Sequence, residues 1–398
     1  MFRHFAVTEL LFSGGNMKSF TRILASATIV LAVSALCAGT ALAENIRIGL
    51  MCPLTGKWAS EGQDMRRIVQ LLADDINQSA AGGIHGQPIE VIVEDDAGDP
   101  RTASLAAQKL ASAGVVAVVG TYGSAVTEAS QNILDEEGIV QIATGSTSIR
   151  LTEKGMPLFF RTCPRDDEQA HVAAKVIAEQ QYKKVAILHD NSSYAKGLAD
   201  ESLKELKKRN VPVVFFDALT PSERDYTAIL TKLKAADPDL IFYTGYYNDA
   251  GTLLRQKKEM NWDVPMLGGD ATNNTDLVKI AGKEAAEGFF FISPPSAGDF
   301  ESPLAKDFFA RYQSLHNGLP SSVWSVLAGD AFTSIVVALD KCDDIDAEAL
   351  AEQLKKTPDA PVEGLTGPLA FDEKGDRIGE LYRLYRVDAQ GDFVMMGK

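Results

Sequence analysis

The feature that most constrains the fold is an alternation of short apolar runs with longer amphipathic segments along most of the 398 residues. Continuous apolar runs are typical of parallel strands that are buried on both faces of a sheet. Between them, apolar residues such as Met65, Ile68 and Leu72 recur at helical spacing. The pattern predicts an α/β protein whose parallel sheets are covered by helices on both sides.

The predicted strands fall into two series. The first series comprises 45–51, 89–95, 114–120 and 138–144, and the second comprises 183–190, 211–217, 238–245, 264–269 and 287–293. Because one open sheet rarely holds so many strands, we expect two α/β lobes of similar build. After residue 300 the pattern predicts three helices, at 304–316, 323–342 and 346–357, and then a strand pair at 380–387 and 392–396.

The first 43 residues have the composition of a cleaved secretory signal. From Met17, two basic residues precede an apolar run, and residues 41–43 (Ala-Leu-Ala) supply the small side chains that a signal peptidase requires. Residues 1–16 fit no part of such a signal, so Met17 is the expected start. Cys37 lacks the flanking residues of a lipoprotein site, and a freely soluble mature protein is expected from Glu44.

Charge and cysteine content narrow the functional classes. The formal net charge of −15 argues against a nucleic-acid partner or an anionic membrane surface. The mature chain has three cysteines, Cys52, Cys163 and Cys342. They allow either one disulfide with a free thiol or three buried thiols, and their spacing does not decide between these. Neither a metal nor another cofactor is expected, since no Cys/His spacing indicates a metal site.

Two turns rich in glycine and hydroxyl side chains follow neighbouring strands, in GTYGSAVTEAS (120–130) and ATGSTSIRLT (143–152). Open α/β sheets bind ligands at the carboxyl ends of their strands, and such turns suit an anion. Neither a dinucleotide fingerprint nor a phosphate-binding loop is present, so a carboxylate fits better than a nucleotide. The alternative is that Ser124, Thr147 and Ser148 are ordinary helix N-caps.

The second series of strands offers a complementary group. Tyr243, Tyr246 and Tyr247 follow one strand, and Asp270 follows another. Asp270 is either one more helix N-cap or the negative charge that an ammonium group needs, with aromatic faces beside it. Carboxylate-binding turns in one lobe and an acid with tyrosines in the other are typical of a site for a zwitterion.

From about Glu44 to its end, the chain resembles the leucine/isoleucine/valine-binding family of ABC-transporter solute receptors, the type I periplasmic binding proteins. The segments that carry the resemblance include IGLMCPLTGKWASEGQD, GGIHGQPIEVIVEDDAGDP, VVGTYGSAVTEAS, ATGSTSIRLTEKG, FFRTCPRDDEQA, HDNSSYAKGLA, YTGYYNDAGTLLRQ and TGPLAFDEKGD. The resemblance implies a fold of two Rossmann-like lobes with parallel sheets, joined by three hinge crossovers, with the ligand clamped between the lobes.

The expected crossovers lie near Cys163, Pro295 and Phe371. They divide the chain into a signal peptide at 1–43, an N-terminal lobe of 44–163 with 296–371, and a C-terminal lobe of 164–295 with 372–398. The restart of the strand–helix pattern after FFRTCP and the strand pair after PLAFDEKGD support this division.

The resemblance also implies the site residues. The expected ligand-binding residues are Ser124, Gly145, Ser146, Thr147, Tyr194, Tyr246, Asp270, Tyr122 and Trp58. Among them, Ser124 and the stretch 145–147 match residues that bind the carboxylate and ammonium of an amino acid. Tyr194 matches a tyrosine that closes over the ligand, Tyr246 an aromatic wall, and Asp270 the acid that binds the ammonium.

The chain departs from the family pattern at three places. The branched-chain receptors have glutamate where this chain has Asp270, which shortens the reach of the acid by one methylene. Trp58 and Glu61 stand where some members place a tyrosine near the ligand. The segment ahead of Trp324 lacks a large aromatic residue that lines the aliphatic pocket in some relatives. These departures leave the binders of the amino-acid backbone intact and bear on the side-chain preference.

The sequence favours a monomeric periplasmic receptor, not an enzyme, that binds a free α-amino acid of branched-chain, aliphatic or broader type. Its partner is the membrane permease of an ABC importer. One alternative is a receptor of the same fold for an amide, urea or another small solute. A second alternative is a secreted α/β hydrolase, but the chain has no GxSxG motif, and His189 belongs to no recognisable triad. A sensory domain would normally have a membrane anchor or a fused signalling domain.

Overall fold

The computed structural model describes residues 45–397, so the proposed signal peptide lies outside the described residues. The strands are β1 (Ile46–Cys52), β2 (Ile89–Asp95), β3 (Ala117–Val119), β4 (Val140–Ala143), β5 (Phe159–Arg161), β6 (Val185–His189), β7 (Val213–Ala218), β8 (Leu240–Thr244), β9 (Met266–Gly268), β10 (Phe290–Ser293), β11 (Val362–Gly364), β12 (Gly367–Leu369), β13 (Arg383–Val387) and β14 (Phe393–Met395). They form a five-stranded sheet, a seven-stranded sheet and a separate hairpin of β11 and β12.

Helices connect most of these strands. The α-helices are α1 (Ala59–Gln78), α2 (Pro100–Ser112), α3 (Ser124–Glu136), α4 (Arg150–Glu153), α5 (Asp166–Glu179), α6 (Ser193–Lys208), α7 (Thr227–Ala235), α8 (Tyr247–Glu259), α9 (Asp276–Ala281), α10 (Lys283–Ala286), α11 (Pro303–His316), α12 (Val323–Leu339) and α13 (Ala347–Lys355). Short 3₁₀ turns occur at Gly56–Trp58, Asp270–Thr272 and Ala297–Asp299.

The five-stranded sheet has the order β2-β1-β3-β4-β5, and every pairing in it is parallel. The apolar side chains of its inner strands and of β5 are buried because helices cover both faces, whereas most of those on the edge strand β2 are half-buried. Since the strands are parallel, their carboxyl ends share one edge of the sheet. The turns that follow β3 and β4 are therefore neighbours in space, as the sequence predicts.

The seven-stranded sheet has the order β14-β13-β10-β9-β8-β6-β7. Strands β6 to β10 pair in parallel, whereas β13 runs antiparallel to β10 and β14 antiparallel to β13. The predicted C-terminal strand pair thus completes the second sheet. The mixed sheet and the parallel sheet together confirm the predicted α/β class.

The chain passes between the sheets more than once. It leaves the five-stranded sheet after β5 and enters the other sheet at β6. After β10 it forms α11 and α12, and α12 packs against α1 and contacts β3 and β4 of the first sheet. It then returns through the β11–β12 hairpin to β13. Neither this hairpin nor β5 is among the strands predicted from the apolar pattern.

Local sequence signals set several of these boundaries. The Asp99 side chain accepts a hydrogen bond from the Thr102 amide, and Pro100 occupies the first turn of α2. Ser192 caps α6 in the same way through the amide of Ala195. These caps fix the residues at which both helices begin.

The three cysteines of the described chain, Cys52, Cys163 and Cys342, are all free and buried. Burial raises the pKa of Cys163 to about 12, so this thiol stays protonated at neutral pH. The sequence left open either one disulfide with a free thiol or three buried thiols, and the structure has the three buried thiols. Within residues 45–397, no helix has both the length and the apolar character that a membrane crossing requires.

Candidate functional site

The two hydroxyl-rich turns are bound directly to each other. The Thr127 and Ser146 hydroxyls lie 2.6 Å apart, and Ser146 Oγ also donates to the carbonyl oxygen of Thr121 at 3.2 Å. The Ser148 amide donates to Ser124 Oγ at 3.2 Å. All of these groups are buried. The network makes one rigid surface from the turns after β3 and β4.

The hydroxyls on this surface do not have equal freedom. Ser146 is occupied by bonds within the protein, and Ser124 accepts from a backbone amide while lying in the first turn of α3, whose N-cap is Gly123. The Thr147 hydroxyl is buried and has no hydrogen-bond partner. The N-cap alternative is therefore wrong for Ser124, and among Ser124, Ser146 and Thr147 only the Thr147 hydroxyl has no hydrogen-bond partner.

Two glycines allow close packing around these turns, one against β1 and one between the turns themselves. Gly120 has a φ of +124°, and a Cβ added there would lie 2.0 Å from the Met51 carbonyl oxygen. A Cβ on Gly145 would lie 2.6 Å from the Tyr122 ring. Gly145 thus contributes by admitting Tyr122 against the second turn, a role that any larger residue would block.

Arg161 fixes the backbone of the turn that follows β4. Its fully buried guanidinium donates through one terminal nitrogen to the carbonyl oxygens of Ser146 at 3.1 Å and Ser148 at 2.8 Å. Its Nε atom donates to Asp376 at 2.5 Å. The bonds orient the backbone on either side of Thr147. Sequence reasoning missed this arginine because its partners are distant in the chain.

Asp270 follows β9 and is 1% exposed. Its Oδ2 atom accepts a hydrogen bond from the Tyr382 hydroxyl at 2.9 Å, whereas its Oδ1 atom has no partner. Its side chain caps no helix. Burial raises the pKa of Asp270 to about 7, although the bond from Tyr382 opposes that shift. A buried carboxylate with an open oxygen is the group that an ammonium ion would stabilise.

A second buried acid, Asp166, lies beside the same groups. It is the first residue of α5, its amide donates to the Thr147 carbonyl oxygen at 3.0 Å, and neither of its carboxylate oxygens has a hydrogen-bond partner. Burial, followed by the charge of Asp270, raises the pKa of Asp166 well above its ordinary value. The Thr147 hydroxyl faces the Asp166 carboxyl and opposes this rise in its pKa. Sequence analysis missed Asp166, since acids are common in the first turn of any helix.

Aromatic rings form a wall around these polar groups. The Trp58 ring centroid lies 4.3 Å from that of Tyr246 and 5.2 Å from that of Tyr122. Tyr246 also contacts Tyr194 at 5.3 Å, and Tyr122 contacts Trp324 at 6.1 Å. All five rings are buried. In this wall, Trp58 and Tyr122 follow strands of the first sheet and Tyr194 and Tyr246 follow strands of the second, while Trp324 lies in the first turn of α12.

Hydrogen bonds also join the segments that follow strands of the first sheet to the segments that follow strands of the second. Tyr247 donates to the Lys57 carbonyl oxygen at 3.0 Å, and Asn274 donates to a carboxylate oxygen of Glu61 at 2.7 Å. Glu61 is fully buried and also accepts from Ser322. Burial raises the pKa of Glu61 to about 8, even though both donors oppose that shift. The structure thus has a closed arrangement of the two sets of segments.

The structure brings the nine predicted site residues into one continuous cluster, in which Gly145 is half-buried and the other eight are buried. His189 is not part of a catalytic arrangement: its Nδ1 atom accepts from the Asn191 amide and its ring packs on Phe216. Among residues 45–397, no group of three or more His, Cys, Asp or Glu side chains is arranged to hold a metal ion.

Comparison with known proteins gives the same picture over almost the whole chain. A family model described as periplasmic binding protein matches residues 45–392. The leucine-, isoleucine-, valine-, threonine- and alanine-binding protein of Pseudomonas aeruginosa is 34% identical over 364 residues, which cover 90% of this chain and 94% of that protein.

Solved structures agree with these matches. The substrate-binding protein LivJ of a branched-chain amino acid transporter from Streptococcus pneumoniae, in complex with isoleucine, is 30% identical with a TM-score of 0.80, and the match covers 88% of this chain and 98% of that chain. The leucine-binding protein LivK from Thermotoga maritima has a TM-score of 0.82 at 24% identity, with the same coverage, and shows the shared fold.

Proposed function

Since this chain belongs to the periplasmic binding protein family, we propose that it is the receptor of an ABC importer for an α-amino acid. The ligand is of branched-chain, aliphatic or broader side-chain type and binds where the turns, the two acids and the aromatic wall meet. The receptor acts as a monomer in the periplasm, after cleavage of the signal peptide at 1–43, and delivers the amino acid to a membrane permease.

The observation that carries the proposal is the set of buried polar groups without partners in the cluster. The Thr147 hydroxyl, the Oδ1 atom of Asp270 and both carboxylate oxygens of Asp166 are buried and unpaired. Buried polar groups in folded proteins are nearly always paired, so several such groups together indicate a missing partner. An ammonium group supplies donors for the acids, and a carboxylate supplies an acceptor for the hydroxyl.

Each end of the ligand has its own set of partners. The carboxylate accepts from the Thr147 and Ser124 hydroxyls and from the amides of Ser124 and Ala125, which precede the first amide of α3 that bonds to the Gly123 carbonyl oxygen. The ammonium donates to Asp270 and Asp166, with Tyr246 and Tyr194 closing over it. Several charge-assisted hydrogen bonds, reduced by desolvation and closure costs, leave about −8 kcal/mol, or micromolar affinity. Binding and release require no covalent chemistry.

Capture of the ligand requires the site to open. We assign the two lobes to 44–163 with 296–371 and to 164–295 with 372–398, with hinge crossovers near Cys163, Pro295 and Phe371. The passage of the chain between the sheets after β5 and after β10, and its return to β13, supports this division. A hinged clamp of this kind is a common design for solute capture.

Calorimetry with three matched ligands tests the proposal. L-Leucine carries both charged groups, 2-hydroxy-4-methylpentanoate replaces the ammonium with a hydroxyl, and leucinamide removes the carboxylate charge. We expect micromolar binding of leucine and at least about tenfold weaker binding of either analogue, because each loses a charge-assisted interaction. A protein that binds neither leucine nor any other amino acid, but binds an amide or urea, would support the alternative receptor.

A further inference from the structure

Three buried hydrogen-bond donors of the aromatic wall have no partner among the described residues. They are the indole Nε1–H groups of Trp58 and Trp324 and the hydroxyl of Tyr122. None of the three residues is more than 5% exposed. Tyr122 contacts both tryptophans, at ring-centroid distances of 5.2 and 6.1 Å. The donors thus belong to one connected group of rings, separate from the unpaired oxygens of the acids.

Packing against glycines fixes the positions of two of these rings. A Cβ added to Gly98 would lie 2.6 Å from Cε3 of Trp58, and one added to Gly123 would lie 2.9 Å from Cζ3. The benzo edge of Trp58 therefore rests on the two glycines, and its pyrrole edge, which carries Nε1, faces away from them. Tyr122 packs on Gly145 in the same way. At these contacts ring carbons, and not Nε1 or the hydroxyl oxygen, face the glycines.

In the part of the chain that the structure describes, no neighbouring charged group accepts a hydrogen bond from these donors. Glu61, the buried acid of this region, already accepts from Ser322 and Asn274. The Lys57 ammonium lies 4.5 Å from the Trp58 ring centroid, but an ammonium group only donates hydrogen bonds and cannot accept one from the indole. Burial, and after it the charge of Glu61, raises the pKa of Tyr122 well above its ordinary value, so this hydroxyl keeps its proton as a donor.

We propose that Trp58, Tyr122 and Trp324 select amino acids whose side chain carries a neutral oxygen acceptor, such as threonine or asparagine, over the aliphatic isosteres valine and leucine. An aliphatic side chain leaves all three donors unpaired, and a cationic one brings only more donors. A carboxylate side chain would lose its hydration among neutral donors, and the neighbouring cation, Lys57, is on an exposed, solvated side chain. The inference deepens the proposed function and rests on it.

Two pairs of isosteric ligands test the inference on the mature protein. Calorimetry at pH 7 compares L-threonine with L-valine and L-asparagine with L-leucine. We expect the oxygen-bearing member of each pair to bind at least about fivefold more tightly, the effect of about one net hydrogen bond. Tyr122→Phe and Trp324→Phe each delete one donor. In each variant the threonine-to-valine preference should fall at least twofold, since about half or more of the hydrogen bonding to the threonine side-chain oxygen is lost.

Tyr182→Phe is the matched control, since it deletes a tyrosine hydroxyl before the amino end of β6, away from the strand ends that carry the site. It should leave the preference unchanged. The ratio of two affinities on the same variant is insensitive to any loss of stability. Valine binding as tightly as threonine in the parent protein would overturn the inference while leaving the proposed function intact. An unchanged ratio in both variants would also overturn it, because the donors would then serve the ligand backbone. Failure of all four amino acids to bind would overturn both.

Discussion

Replacement of Asp270 by asparagine removes the proposed ammonium-binding charge and keeps the shape of the side chain. Its Oδ2 atom accepts from Tyr382 at 2.9 Å, and this bond survives through the amide oxygen of asparagine. The open Oδ1 position becomes an NH₂ group, which is a donor and repels the ammonium. The variant should fold, because the residue lies in the cleft and its only lost feature is a charge that burial disfavours.

The magnitude follows from the bond that is lost. A hydrogen bond to a charged group contributes about 1.5–3 kcal/mol, which corresponds to a loss of about 10- to 150-fold in affinity. A pKa of about 7 means that about half of the Asp270 carboxyls are protonated at pH 7 before the ligand binds. Ionising that half costs the parent only about twofold in affinity. The lost bond alone therefore weakens binding by about 5- to 75-fold at pH 7, and repulsion from the asparagine NH₂ group brings the expected loss to about two orders of magnitude.

Isothermal calorimetry of the parent and the variant measures this effect. Asp225→Asn removes the same charge from an exposed side chain and should leave the affinity unchanged. Asp270→Asn should also lose most of the parent's preference for leucine over its hydroxy-acid analogue, because only the contact with the ammonium group changes. If Asp270→Asn binds the amino acid as tightly as the parent, the zwitterion site is wrong.

Other expected outcomes probe the turns, the hinge and the buried acids. Thr147→Val deletes an unpaired hydroxyl and should weaken amino-acid binding about fivefold without lowering the melting temperature. Ser146→Ala should lower the melting temperature, because the Ser146 hydroxyl is hydrogen-bonded within the protein. The reverse pattern would contradict the assignment. Ser124→Ala should cost about 1 kcal/mol of binding free energy in the same titration, and an unchanged affinity would remove that hydroxyl from the site. Small-angle scattering should show a smaller radius of gyration at saturating amino acid, and an unchanged radius would count against a clamp. Burial raises the pKa of Glu61 from 4.5 to about 8, so the folded chain holds a proton there that the unfolded chain releases. This residue therefore makes the stability of the parent fall as pH rises from about 5 to about 8. The melting temperature of Glu61→Gln relative to the parent should rise over that pH range, and a constant difference would refute the assignment.

Much of the fold is predictable because buried parallel strands leave a strong local signal. The strand at Ile89–Asp95 has the predicted bounds, and most other strands begin and end within about three residues of theirs. The misses are short strands whose pairing depends on distant partners. Phe159–Arg161 becomes a strand because β4 lies beside it, and the apolar pattern of three residues does not reveal this.

The candidate site divides in the same way. Hydroxyl-rich turns at strand ends are visible in the sequence, so Ser124 and Thr147 were predictable as a pair. Which hydroxyl is open to a ligand depends on Thr127, which pairs with Ser146 from another element. Asp166 becomes notable only because the fold places it near Asp270, 104 residues further along the chain. Burial and partner count are tertiary properties, and no local pattern encodes them.

The central claim is that one cleft holds an amino-acid zwitterion by both ends. A crystal structure of the mature protein with its tightest-binding L-amino acid tests this most directly. The account predicts the ammonium nitrogen within about 3 Å of a carboxylate oxygen of Asp270, and a ligand carboxylate oxygen at the same distance from the Thr147 hydroxyl. A ligand bound in the opposite orientation, or at any place away from these residues, would contradict it.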